Sequence, residues 1–173
     1  MFNCENTTVL CIDFQEKLVN IVQNEAIKSN GIKLMKASSI LNMDVIITEQ
    51  YPKGLEETIL EIKSLKDFKI TEKITFSALQ TPNFPKIKNK NVILFGIESH
   101  ICVFQTALDL INQGYQVFIP FDCCASRKES DKSTALNYLA QKGINVLSLE
   151  IILFELLKSS KHPNFKEIQA LIK

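Results

Sequence analysis

The chain has 173 residues, of which 46% are hydrophobic and 23% are charged, and this composition favours one globular domain over residues 1–173. The net charge is +1, with lysines and acidic residues interspersed, so there is no electrostatic basis for binding nucleic acid or an anionic membrane surface. Arg127 is the only arginine, which excludes a pair of arginines that clamps a phosphate.

The cysteines and the first residues bear on the cellular compartment. Residues 1–6 lack the basic stretch followed by an apolar stretch that marks a secretory signal. The number of cysteines is odd, five in all, and Cys123 and Cys124 are adjacent, which is typical of reduced thiols that pack in a core. Apolar runs such as residues 92–95 are too short to span a bilayer. We therefore expect a cytoplasmic protein that makes no membrane contact.

Short apolar runs rich in β-branched residues predict strands that are buried on both faces. In chain order these predicted strands cover residues 8–12, 44–48, 68–71, 91–95, 116–119 and 145–148, and the third and the last have the weaker patterns.

Helical spacing of apolar residues fills the intervals between the predicted strands. The predicted helices follow Gly31, run from Cys102 to near Gly114, cover residues 133–142 before a capping Gly143, and cover residues 150–158 with an apolar side for the core or for another subunit. The alternation predicts a three-layer α/β/α sandwich with a mostly parallel central sheet. Ligands bind such folds at the carboxyl ends of the strands, where strand order reverses.

Reactive side chains follow three of the predicted strands. Asp13 ends the first strand, Lys73 follows the third, and Gly96 leads from the fourth strand to Cys102 at the start of a helix. A helix N-terminus and a nearby cation lower the pKa of a cysteine below the roughly 8.5 of the free thiol. A neighbouring carboxylate can accept the thiol proton and return it to a leaving group. The pattern is therefore compatible with a thiol nucleophile of lowered pKa, reachable from a pocket, but by itself it is weak, since burial of a cysteine in a core more often gives the same pattern.

Five segments of the chain, taken together, resemble the isochorismatase-like cysteine hydrolases, in particular their short single-domain branch. The segments are IDFQ at residues 12–15, TEQYPKGL at 48–55, EKITFS at 72–77, GIESHICV at 96–103 and DCCASR at 122–127. Beyond residue 127 the likeness is limited to the α/β pattern.

The resemblance implies a catalytic triad of Asp13, Lys73 and Cys102. In that family the cysteine attacks a carbonyl carbon of a small amide-type substrate and forms a thioester that water hydrolyses. The resemblance also implies a cis peptide bond between Ile97 and Glu98, with the backbone N–H groups of Glu98 and Cys102 as an oxyanion hole.

Position after the strands and the same resemblance place Phe14, Gln15, Tyr51 and Phe76 around a substrate pocket, although Phe14 and Phe76 fit ordinary core packing equally well. Metal-dependent members of the superfamily carry an aspartate and two histidines after the second strand, whereas this chain has EQYPKG at residues 49–54. We therefore expect no metal and no organic cofactor, and the resemblance implies a homo-oligomer.

Two other functions remain open at this stage. One is a homo-oligomeric binding or scaffold module with little or no turnover. The other is the vinyl-ether cleavage of isochorismatase itself, which does not use the thiol.

Other polar residues beside these segments have structural interpretations. His100 lies two positions before the nucleophile, so the two side chains point to different sides of a helix and we expect a turn-forming or partner-contacting role for His100. Glu49 is either a second acid or a partner of Lys53 or Lys73. Arg127 is expected to tie down its own loop.

Overall fold

The strands form one parallel sheet in the computed structural model, which describes residues 2–66 and 68–173. In that part of the chain they are β1 (Thr7–Ile12), β2 (Asp44–Gln50), β3 (Lys69–Lys73), β4 (Asn91–Ile97), β5 (Gln116–Pro120), β6 (Cys124–Ala125) and β7 (Asn145–Leu147). Their order is β3-β2-β1-β4-β5-β7, and β6 pairs with the end of β4. The prediction of a mostly parallel central sheet is confirmed.

Helices flank this sheet and complete the predicted α/β fold. Among the described residues they are α1 (Glu16–Val22), α2 (Glu25–Ile40), α3 (Pro52–Leu55), α4 (Leu60–Lys63), α5 (Phe104–Asn112), α6 (Glu129–Gln141), α7 (Leu149–Leu157) and α8 (Phe165–Ile172). None of these helices has the length and apolar character needed to cross a membrane.

Burial explains which strands have clear sequence patterns. Every residue of the central strands β1 and β4 is buried, so both read as continuous apolar runs. The edge strand β3 is mostly exposed, and only its last residue, Lys73, is buried. The weak pattern of the third predicted strand therefore reflects its place at the edge of the sheet.

The helix predicted after Gly31 begins earlier, at Glu25. The Asn24 side chain accepts a hydrogen bond of 3.1 Å from the backbone N–H of Ile27 and caps this helix. Gly31 lies inside this helix. A Cβ atom at this position would stand 2.5 Å from Cζ of Phe14, so only glycine fits there. Close packing on an aromatic ring, rather than a helix boundary, is thus the reason for this glycine.

The last predicted helices are present with shifted boundaries. Helix α6 starts at Glu129, and Gly143 follows it with a φ of +89°, as a left-handed cap requires. In α7 the side that carries Ile152 and Leu156 is buried, whereas Ile151 is 54% exposed. The first of these two sides therefore belongs to the core of the described chain.

Candidate active site

The sheet topology brings Asp13, Lys73 and Cys102 together at the carboxyl ends of the parallel strands. Asp13 follows β1, Lys73 is the last residue of β3, and Cys102 lies in the turn after β4. Chain order reverses between the neighbouring strands β1 and β4, which is where α/β sheets open a crevice for ligands. Asp13 and Cys102 flank this point.

Asp13 and Lys73 form a buried ion pair. Oδ2 of Asp13 lies 2.7 Å from Nζ of Lys73, and both side chains are fully buried. The Thr48 hydroxyl donates a 2.7 Å hydrogen bond to Oδ1 of Asp13, and the Asp13 N–H donates to the Thr48 carbonyl at 3.1 Å. The backbone of Asp13 has a φ of +50°, a left-handed conformation that aspartate adopts more readily than most residues. Strand β2 thus fixes the carboxylate between itself and β1.

The Lys73 ammonium has three further acceptors. It donates to Oε1 of Gln50 at 2.7 Å and to the carbonyls of Phe76 at 3.2 Å and Thr75 at 3.3 Å. Sequence reasoning missed Thr48 and Gln50. Side chains alternate along a strand, so Thr48 and Gln50 lie on the face of the sheet opposite to that of Glu49. This alternation was the sequence signal that could have identified them.

Cys102 lies in a π-helical turn, Ser99–Val103, that leads into α5. The expectation that it starts an α-helix is therefore corrected: the α-helix begins at Phe104, because the Glu98 carbonyl accepts from the N–H groups of Ile101 and Val103 and delays the regular pattern. The peptide bond between Ile97 and Glu98 is cis, at the position that the resemblance indicates. The Cys102 residue is only 7% exposed.

The expectation of a lowered pKa for the Cys102 thiol is wrong. Burial raises the pKa of Cys102 to about 12, and the nearby Asp13 carboxylate raises it too, whereas Lys73 acts in the opposite direction. Burial also raises the pKa of Asp13, against the opposing effects of Lys73 and Thr48. A raised pKa makes Asp13 a stronger base than an ordinary carboxylate. The raised pKa of Cys102 nevertheless leaves the proton on sulfur in the free protein.

This raised pKa predicts the pH dependence of alkylation at Cys102. The thiolate fraction should grow about tenfold per pH unit throughout the range below the pKa, so the rate with iodoacetamide should rise without a plateau between about pH 7 and 10. Peptide mass spectrometry measures the rate, with N-acetylcysteine as the reference thiol. A plateau for Cys102 below about pH 9 would contradict the assignment of a buried, protonated thiol.

A cavity of about 590 Å³ opens beside the buried pair. Lys73 contributes to its wall, and the other lining residues are Tyr51, Pro52, Lys53, Glu72, Ile74, Thr75, Thr81 and Pro82. Tyr51 thus lies where the pocket was predicted, whereas Phe76 is half-exposed and is not part of this lining. Cys102 is also not part of the lining, so the cavity approaches the three residues from the side of Lys73.

Phe14 and Gln15 are fully buried and lie away from the cavity lining. The Phe14 ring packs on that of Phe95 at a centroid distance of 5.7 Å, which makes it a core residue. The Gln15 side chain accepts from the N–H of Gln50 at 2.7 Å and donates to its carbonyl at 3.1 Å. Neither residue is a pocket wall: Gln15 instead ties down the end of β2, whose Gln50 side chain holds Lys73.

The remaining polar candidates have structural partners. Oε1 of Glu49 accepts a 2.7 Å hydrogen bond from the N–H of Thr58, and so Glu49 pairs with neither lysine proposed for it. Nδ1 of His100 lies 2.9 Å from Oγ of Ser126. Among residues 2–66 and 68–173, no three His, Cys, Asp or Glu side chains are grouped to hold a metal ion.

Arg127 ties down its own loop by hydrogen bonds, as expected, and the partner is Glu98. Its backbone N–H and its Nε both donate to Oε1 of Glu98 at 3.0 Å, and the Glu98 side chain is almost fully buried. This contact connects the loop after β6 to the turn that carries Cys102.

Comparison with known proteins identifies relatives of this chain. The sequence pattern of the isochorismatase domain matches residues 7–151. Isochorismatase domain-containing protein 2 of Danio rerio is 38% identical over 173 residues, which covers 97% of this chain and 87% of the relative. The Bos taurus protein of the same name is 36% identical over 166 residues, covering 95% of this chain and 81% of the relative.

A solved structure is similar over almost the whole length. It is described as MAR1 ribonuclease from Caenorhabditis elegans, has 35% sequence identity and a TM-score of 0.93, and the match covers 99% of this chain and 91% of that one. The fold, the matched domain and these relatives agree with the resemblance found in the sequence segments. The chain belongs to the isochorismatase family.

Proposed function

We propose that this protein is a cysteine-dependent C–N hydrolase that acts on a small amide through a thioester intermediate. The observation that carries the proposal is the buried contact of 2.7 Å between Asp13 and Lys73, with the Cys102 thiol near enough for both charged groups to shift its pKa. A carboxylate, an ammonium and a thiol gathered at one buried site are the parts that acyl transfer to sulfur needs.

In the first step, Asp13 accepts the thiol proton as Sγ of Cys102 attacks the carbonyl carbon of the amide. The backbone N–H groups of Glu98 and Cys102 stabilise the oxyanion of the tetrahedral intermediate. The proton then passes from Asp13 to the amide nitrogen, the C–N bond breaks, and an amine or ammonia leaves. Because the pKa of Asp13 is raised, its carboxylate accepts the thiol proton more readily than an exposed carboxylate would.

In the second step, Asp13 removes a proton from a water molecule that attacks the thioester carbonyl. Collapse of the second tetrahedral intermediate breaks the C–S bond, and the proton returns to Sγ of Cys102. Lys73 remains positively charged throughout and balances the charge of the Asp13 carboxylate at a site from which water is largely excluded.

The cavity sets the size of the substrate. A volume of about 590 Å³ suits a small molecule, and its wall combines the Tyr51 ring and Ile74 with polar groups on Lys53 and Glu72. Entry from the side of Lys73 would bring a carbonyl group towards the turn that carries Cys102.

RNA is a second substrate class to test, because the similar structure from Caenorhabditis elegans is described as a ribonuclease. The charge of this chain favours the amide, because a net charge of +1 gives little overall attraction for a phosphate backbone. Of the two lysines at the cavity, Lys73 is already paired with Asp13.

The test is a screen of small amides with two readouts. Hydrolysis should release ammonia or an amine, and rapid acid quenching followed by intact mass spectrometry should detect an acyl group on the protein that maps to Cys102. The Cys102→Ala variant should show neither the adduct nor turnover. The same screen should include a vinyl ether of the isochorismate type and single-stranded RNA.

Each outcome assigns one function. Amide turnover that disappears with Cys102→Ala supports the proposal, whereas vinyl-ether cleavage that survives this substitution would assign thiol-independent chemistry. RNA cleavage without an acyl adduct would assign a nuclease. Ligand binding without turnover of any substrate would leave the binding or scaffold module.

The predicted homo-oligomer remains a proposal. Three large apolar side chains, Tyr51 and Ile74 in the cavity wall and Phe76 in the loop after β3, are between 53% and 82% exposed, and a subunit contact would cover them. Size-exclusion chromatography with light scattering determines the oligomeric state directly.

A further inference from the structure

The helix that follows Cys102 holds the loop that binds the Lys73 ammonium. In α5, Thr106 and Asp109 lie on one side of the helix, and both contact the segment that follows β3. Oγ of Thr106 accepts a 3.0 Å hydrogen bond from the N–H of Ala78, and Oδ2 of Asp109 accepts a 2.6 Å hydrogen bond from Oγ of Ser77. The chemical steps proposed above involve neither of these two hydrogen bonds.

The loop formed by residues 74–80 determines where the Lys73 ammonium lies. Two of the acceptors of that ammonium are the carbonyls of Thr75 and Phe76, which directly precede the anchored Ser77. Ala78 is buried, but the apolar side chains on either side of Thr75 do not fix the first part of the loop, because Ile74 is 82% exposed and Phe76 is 53% exposed. Hydrogen bonds to α5 therefore help to order the part of the loop that contacts the ammonium.

Asp109 is suited to anchor this loop because its carboxylate is charged and accepts two hydrogen bonds from it. The same oxygen, Oδ2, accepts from Oγ of Ser77 at 2.6 Å and from Nε2 of Gln80 at 2.9 Å. Hydrogen bonds to an ionised acceptor are shorter and about twice as strong as those between neutral groups. Ser77 is fully buried, so loss of the carboxylate would leave its hydroxyl without this partner.

We propose that Asp109 is a positioning residue: through Ser77 and the carbonyls of Thr75 and Phe76, it holds the Lys73 ammonium in place beside Asp13 and Cys102. Cys102 and Asp109, the residue that anchors the loop, lie on one continuous helical segment. This segment therefore sets the separation between the thiol and the ammonium. This inference rests on the proposed function for its catalytic meaning, although the positioning itself does not depend on a substrate.

The electrostatic consequence follows from distance. The ammonium opposes the burial and the carboxylate that hold the proton on Cys102. If the loop loosens, the mean distance between Nζ and Sγ grows, and the attraction between ammonium and thiolate falls. The thiolate fraction should then decrease at every pH below the pKa.

The test compares Asp109→Ala with Asp109→Asn, which keeps an oxygen acceptor for Ser77. At pH 9, Asp109→Ala should slow the alkylation of Cys102 by iodoacetamide by about fivefold, whereas Asp109→Asn should stay within about twofold of the wild type. With an amide substrate from the screen, Asp109→Ala should lower kcat by about tenfold with a smaller change in KM. Asn112→Ala, an exposed position on the same helix, is the matched control.

The sign of the alkylation change separates positioning from a general structural role. A loosened fold exposes Cys102 and speeds alkylation, so an unchanged or faster rate in Asp109→Ala would overturn the inference. If Asp109→Ala does not fold, Ser77→Ala removes one donor of the anchor and should slow alkylation in the same direction. Failure of the proposed function would be seen in a different experiment, as amide turnover that is retained in Cys102→Ala. The alkylation rates of the Asp109 variants do not depend on that result.

Discussion

Asp13→Asn is expected to lower kcat for amide hydrolysis by about a thousandfold, within the range typical of a lost general acid–base group. The asparagine keeps the size of the side chain and can still accept the hydrogen bond from Thr48, but it cannot take the thiol proton. Steady-state kinetics on a substrate from the amide screen measure this loss. Hydrolysis at the wild-type rate would remove Asp13 from the mechanism.

The same substitution should destabilise the protein, by about 3 kcal/mol in the free energy of unfolding, because it leaves the buried Lys73 ammonium without its carboxylate. The double variant Asp13→Asn/Lys73→Met removes both charges and should recover about 2 kcal/mol without recovering activity. Urea unfolding at pH 7 measures these differences.

Asp44→Asn is the matched control for this pair of effects. Asp44 starts β2 at the opposite end of the strand, and its carboxylate accepts a 2.8 Å hydrogen bond from the Thr8 hydroxyl. Its replacement should cost less than about 1 kcal/mol and leave turnover unchanged. A double Asp13/Lys73 variant no more stable than Asp13→Asn alone would contradict the role of the unpaired buried charge.

Gly96→Ala should have the largest effect on stability, a loss of about 3 kcal/mol or more in the free energy of unfolding. A Cβ atom at Gly96 would lie 1.9 Å from the carbonyl oxygen of Ile12, which is backbone and cannot rotate away. The φ of +140° at Gly96 adds strain for any L side chain. Ile12 and Gly96 are register partners, so β1 and β4 would have to separate beside Asp13.

Gly114→Ala isolates the backbone part of this effect. Gly114 also has a positive φ, of +83°, but no heavy atom lies within 4 Å of its added Cβ atom. Its replacement should therefore cost only the left-handed conformation, about 1 kcal/mol. Urea unfolding compares the two variants, and equal losses would show that the collision with β1 is unimportant.

The strands were predictable because burial leaves a local mark on the sequence. β1 and β4 are buried on both faces, and a run of apolar, β-branched residues records this directly. The two-residue strand β6 was missed because Cys124–Ala125 is too short to show any pattern. Positions after strand ends pointed to Asp13, Lys73 and Cys102, since parallel strands end at the same edge of the sheet.

Side-chain partners within the site were less predictable. Gln15 and Phe14 follow a strand end just as Asp13 does, yet one binds the backbone of Gln50 and the other packs in the core. The direction of a side chain after a strand depends on the turn that follows, and sequence position alone does not fix it. Only the structure showed that these two side chains support neighbouring residues and do not line the cavity.

The sequence by itself determined the fold class, the longer strands of the sheet and the positions of Asp13, Lys73 and Cys102 after strand ends, because hydrophobic periodicity and strand ends are local properties. The tertiary structure decided that the pKa of Cys102 is raised and that Asp109 anchors the loop around Lys73. Both depend on contacts between segments far apart in the chain. Burial and distance between charges set these properties, and neither is written in the local pattern of residues.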